Sequence, residues 1–193
     1  MPITGKTPEK CFEAFRGHLA ALLKKTVPTR CPVLVQATST HAHVGFREGQ
    51  SPKAVPIETR HGRLFFWVAQ FVEAKARKEE GDFALSTLNY WYRLQEAPGS
   101  DEKALIRWEY DRTLRAGAKP CRHHVQQQAT IPIQGAEGLD LDRLHVPTGW
   151  VALEEVLRFL IYDLRMKPPC GGTWHREIEA SEKVFREKFS TPH

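Results

Sequence analysis

Long apolar runs are missing from this chain. The longest nearly uninterrupted one, Leu64 to Ala69, is far shorter than the roughly 20 residues that a membrane-spanning helix requires. The first ten residues lack the basic start and apolar middle of a secretory signal, so a cytoplasmic location and no membrane contact are expected. Cysteine is scarce: Cys11, Cys31, Cys121 and Cys170 stand far apart with no C-x-x-C pair. That spacing writes neither a zinc ribbon nor a disulfide framework and leaves free thiols as the simplest reading. Internal repeats and low-complexity tracts are absent as well. Charge of one sign is only slightly in excess, with 28 Lys and Arg against 23 Asp and Glu and a net +5 when the nine histidines are neutral. Such a balance permits nucleic-acid contact without demanding it, because binding is argued from clustered charge rather than from a total.

What is present suits one packed domain. Apolar residues at 41% and charged residues at 26% over 193 residues match ordinary globular usage and exclude wholesale disorder. Thr7-Pro8-Glu9 supplies an N-cap, a first-turn proline and a first-turn acid, and Phe12, Phe15, Leu19, Leu22 and Leu23 follow helical spacing, which predicts a helix over about 8–25. Val33 and Val35, then Thr40, Ala42, Val44 and Phe46, alternate in two phases that a bulge near Ser39 would reconcile. Residues 47–62 read as a loop with a short edge strand at Ala54 to Glu58. Leu64 to Lys75 fits helix or buried strand, and strand is favoured. The turn-like Lys78 to Asp82 then leads to Phe83 through Gln95, with Leu88, Tyr90, Tyr92 and Leu94 on one face.

Pro98-Gly99-Ser100-Asp101 turns the chain into Ala104 to Arg112, where Ile106, Trp108 and Tyr110 face one way and Arg107, Glu109 and Asp111 the other. Cys121 to Ile133 alternates again. A helix over about 152–165 carries the stripe Leu153, Val156, Leu157, Leu160, Ile161 and Leu164, and is predicted to pack on Trp108, Val125 and Ile131. Thr173 is read as the cap of a last helix bearing Trp174, Ile178, Phe185 and Phe189. The fold class expected is α+β, a single domain whose antiparallel meander sheet is packed by an N-terminal helix and two C-terminal helices.

The chemistry-bearing groups concentrate on the polar side of that meander: Arg107, Glu109, Asp111, Arg122, His124 and Gln126. Placed on neighbouring strands, they bring an imidazole, two carboxylates and two guanidiniums to one surface. Metal-independent RNA cleavage uses such parts, as does a solvated sheet face laced with cross-strand ion pairs. In the catalytic reading His124 is the acid/base, Arg107 and Arg122 hold phosphate, and Glu109 orients. His123 points to the opposite face and reads as a core histidine. His145 either reaches the sheet edge or braces its loop. His41 and His43 share a strand face and would pair on a metal only with a third ligand, Cys121 or His61; no metal and no cofactor are expected. The aromatics Tyr90, Trp91, Tyr92, Trp108 and Tyr110 either pack a core or stack bases, and Arg93 and Tyr92 join Arg122 as nucleic-acid-binding candidates.

Tyr90-x-Tyr92-x-Leu94, a turn, Ile106-Arg107-Trp108-Glu109, then His123-His124 and a later amphipathic helix together resemble the TumE-like family of bacterial toxin-antitoxin components over about residues 86–165. Glu109 stands where that family usually has aspartate, and the histidines are adjacent where a spaced pair is more typical. The resemblance implies a cytosolic bacterial toxin-like or defence-associated protein that acts on RNA or is neutralised by a protein partner such as an antitoxin. The alternative is a non-catalytic interaction module.

Overall fold

The computed structural model describes residues 3–49, 51–77, 81–99, 103–114, 122–132, 139–141 and 144–189. Its frame is one antiparallel hairpin of unusual length, β6 (Gly62–Arg77) and β7 (Asp82–Gln95). Each outer edge of that hairpin carries two shorter strands end to end. On the β6 side lie β5 (Val55–Thr59) and then β3 (His41–Glu48). On the β7 side lie β8 (Ala104–Asp111) and then β1 (Thr4–Gly5). The sheet continues outward through β2 (Val33–Ala37) beyond β3, and through β9 (His123–Gln127) and β12 (Val146–Pro147) beyond β8. The pair β4 (Ser51–Pro52) extends the end of β3, while β10 (Thr130–Ile131) and β11 (Leu139–Asp140) form a separate ribbon. The expected α+β meander is therefore present.

The helices are α1 (Pro8–Thr26), α2 (Leu153–Arg158) and α3 (Trp174–Phe189). Thr7 caps α1 by accepting from the Lys10 amide at 3.3 Å, so the Thr-Pro-Glu start works as its chemistry dictates. The apolar residues of α1 and α2 join a single core with alternate sheet residues, among them Val44, Phe66, Val68, Val72, Tyr90, Tyr92 and Leu94. Leu157 is fully buried and Phe159 meets Trp108 edge-on at 5.6 Å, which places the α2 region on the sheet face expected for it. Three polar ties knit the helices to one another. Lys25 pairs with Glu177 at 2.6 Å, Arg158 with Glu182, and Ser181 bridges His18 and the buried Glu154. Burial outweighs the Ser181 hydrogen bond and pushes the Glu154 carboxyl above its ordinary value.

Several expectations are corrected. β2 and β3 are joined by a tight turn in which the Thr38 amide donates to the His41 carbonyl at 2.8 Å, so a turn, not a bulge, resets the phase near Ser39. The bulge sits in β7: Phe71 pairs with Asn89 but Val72 with Thr87, leaving Leu88 as the extra residue. The buried series therefore runs through Tyr90, Tyr92 and Leu94 but switches to Leu85 before the bulge. The strand expected from Cys121 to Ile133 stops at Gln127, and Ile131 belongs to the separate ribbon instead of the face beneath α2; Cys121 and Ile133 lie outside the described residues. The helix expected over 152–165 opens into a π turn at Phe159–Asp163, closed by the Leu164 amide on the Phe159 carbonyl at 3.2 Å. The wider turn keeps Leu160, Ile161 and the following Met166 all buried. Thr173 does not cap α3, because it lies in a 3₁₀ turn and its hydroxyl donates to the Cys170 carbonyl at 2.9 Å. Among the described residues no helix is long and apolar enough to cross a membrane.

Candidate functional site

Strand register decides which side chains meet. Across β6, β7, β8 and β9 one row reads Trp67, Arg93, Arg107, Gln126, and the next reads Ala69, Trp91, Glu109, His124. These residues alternate with the buried ones, so they occupy the face opposite the three helices. Directly opposed side chains lie roughly 5 Å apart at Cβ, which is why Glu109 can touch three partners. Its carboxylate stands 3.4 Å from Arg93 Nη2, 4.0 Å from Arg107 Nη1 and 3.3 Å from His124 Nε2. Arg107 also donates to Gln126 Oε1. That contact turns the Gln126 amide nitrogen toward His145 Nε2, 2.9 Å away. The His145 ring lies 4.9 Å from that of His124, so His145 does reach the sheet.

The result is a cleft of about 300 Å³ lined by Trp91, Arg107, Glu109, His124, Gln126 and His145, with Asp111 at one side. Arg107, Glu109 and His124 converge in it as the sequence suggested. His124, however, is only 4% exposed and Gln126 5%, so the face is not simply wet. His145 is the exposed imidazole at its mouth. Desolvation, with His124 and Arg107 adding to it, holds the His145 pKa below its ordinary 6.5, so this ring is neutral at neutral pH. Since the Gln126 amide donates to it, Nε2 carries the lone pair. Arg93 Nε and the Asn89 side-chain oxygen, flanking Trp91 on β7, are buried without a hydrogen-bond partner.

Arg122 is exposed beside the cleft and spends its guanidinium on the Leu114 carbonyl, at 3.2 Å from Nε and 3.1 Å from Nη2. Tyr92 cannot stack a base: it is 2% exposed on the helix-covered face, and its phenol oxygen accepts from Gln70 Nε2 at 2.9 Å. Neighbours on a strand point to opposite faces, so Tyr92 and Arg93 never shared a surface. Of the five aromatics, Tyr92 among them, Trp91 alone lies on the open face; Tyr90, Tyr92, Trp108 and Tyr110 take the opposite phase. His123 is half-buried there, stacked on Tyr110 at 4.5 Å and edge-on to Trp150 at 5.7 Å. His41 and His43 both stack on Phe71, at 5.6 and 4.3 Å. Among the described residues no three His, Cys, Asp or Glu side chains gather as a metal-ligand group; Cys121 lies outside those residues. Trp67 and Phe71 also lie on this face and were not singled out in the sequence, because β6 is apolar at odd and even positions alike.

No family model matches the chain, and no curated protein or solved structure matches it either.

Proposed function

We propose that the protein acts on RNA, holding a phosphodiester in the cleft between Arg107 and His145, with Arg93 beside it on Glu109, and cleaving it through the adjacent 2′-hydroxyl. The observation that carries this reading is the convergence of two guanidiniums, a carboxylate and two imidazoles on one open sheet face. A 2′-hydroxyl that takes the place of the Gln126 amide on His145 Nε2 delivers its proton there. The freed oxygen attacks phosphorus, Arg93 and Arg107 offset the charge of the phosphorane, and the bond to the 5′-oxygen breaks as that oxygen takes a proton from solvent at the mouth. Glu109 holds both arginines and His124 in place, so His124 is a positioning residue beneath His145. The TumE-like resemblance supports the same substrate class and a toxin-like role.

A protein partner, such as an antitoxin, is the second reading. It is favoured by Val146 and Trp150, 47% and 51% exposed at and beside the edge strand β12. The test is cleavage of a labelled single-stranded RNA and of a minimal dinucleotide. His145→Ala is expected to lower the rate by about 10² to 10⁴, with an acid limb below pH 6.5 in the unmodified protein, and Arg107→Lys to lower it because lysine loses the two-pronged grip. Absence of cleavage and of RNA binding in the unmodified protein would leave the partner reading in its place.

A further inference from the structure

Beyond the cleft, the same face carries three large rings that the core does not use. Trp91 on β7 stands opposite Ala69 of β6, and Trp67 and Phe71 are the residues two before and two after Ala69. Diagonal neighbours of this kind lie roughly 7 to 8 Å apart. Trp67, Phe71 and Trp91 are half-buried, yet none of them joins or packs against the hydrophobic core of the helix side. The floor beside them is kept low, because Ala69 pairs across to Gly45, where an added Cβ would fall 2.2 Å from the Val68 carbonyl oxygen. The Phe71 ring already carries His43 stacked at 4.3 Å, and His43 is exposed. The cations adjoin the rings, since Arg93 follows Trp91 by two residues and pairs across to Trp67 on one side and Arg107 on the other.

Sequence-independent single-strand binders combine these two elements, π-faces for unpaired bases and cations along the backbone. A duplex hides its base faces and offers such a surface only phosphates. We propose that the open sheet face is a track for an unpaired RNA strand, its bases stacking on Trp91, Trp67 and the Phe71–His43 pair while its backbone follows Arg93 and Arg107 into the cleft. This rests on the RNA reading above and names the form of RNA it takes.

The experiment is fluorescence anisotropy with a labelled 12-nucleotide uridine strand, the same strand annealed to its complement, and a 12-nucleotide thymidine DNA strand, for the full chain and for Trp67→Leu, Phe71→Leu and Trp91→Leu. The unpaired RNA is expected to bind tightest, and each substitution to weaken it by about 5- to 150-fold with the thermal melt preserved. Cleavage of the dinucleotide, which occupies the cleft alone, reads the cleft separately from the track. Equal binding of duplex, or full affinity in all three variants, overturns the track. Equal binding of the DNA strand overturns the assignment to RNA. Dinucleotide cleavage without ring-dependent binding of the long strand would sink the track while sparing the cleft, whereas ring-dependent binding without any cleavage would sustain the track and remove the cleavage reading.

Discussion

Tyr92→Phe separates the two surfaces of this sheet in one substitution. The phenol is 2% exposed on the helix side, where its oxygen is the acceptor for Gln70 Nε2 at 2.9 Å, and Gln70 is itself buried. Phenylalanine fills the same volume, so no cavity forms; what is lost is the acceptor, leaving an amide N–H without a partner in a site water does not reach. Such a group costs about 1 to 3 kcal/mol, which for a domain of this size lowers the melting temperature by roughly 2 to 12 °C. Removing both polar groups, with Tyr92→Phe and Gln70→Leu together, should recover much of that loss, because the cost comes from the orphaned donor. The assay is thermal denaturation of the single and double variants beside anisotropy with the RNA strand. RNA affinity should not move. A normal melt with weakened RNA binding would refute the face assignment and return Tyr92 to the ligand surface.

Leu157→Ala should cost about 2 to 5 kcal/mol, since the side chain is fully buried between helix and sheet; an unchanged urea midpoint would contradict that packing. Burial raises the Glu154 carboxyl above its ordinary 4.5. A group with a raised folded-state pKa contributes stability that is present below the unfolded value and is lost as pH rises through the folded one. Glu154→Gln, which keeps an acceptor for Ser181, should therefore match the unmodified protein below about pH 4.5 and gain on it at neutral pH. Denaturant titrations at both pH values check this, and a gain confined to acid would reverse the sign.

Much of the site could be read from alternation alone. Arg107 and Glu109 stand two apart on a strand bounded by a clear turn, and His124 and Gln126 repeat the spacing on the next, so a neighbouring pair of strands had to bring them together. The α1 helix was equally legible from its cap and its leucine spacing. Other features were not. Phe65, Trp67 and Phe71 alternate with Phe66, Val68 and Val72, so β6 is apolar on both faces and its sequence gives no sign of which face the helices cover. The approach of His145 to His124, with rings 4.9 Å apart, comes from a loop 21 residues onward through a tertiary contact with Gln126. The Leu88 bulge left no mark, because both phases around it contain apolar residues.

That bulge has a consequence for how the gene can change. Strand β7 answers to two neighbours at once, with Leu85 in the core before residue 88 and Tyr90 in the core after it. A regular strand of the same composition could satisfy only one of them, since a shift by one residue exchanges the faces. Loss of the single residue Leu88 would therefore not shorten the strand harmlessly. With the downstream half anchored, it would turn Asp82, Ala84 and Ser86 inward and Leu85 and Thr87 outward. Drift in length along this hairpin is confined to its turn, and the inward direction that Leu85 shares with Tyr90 hangs on that one extra residue.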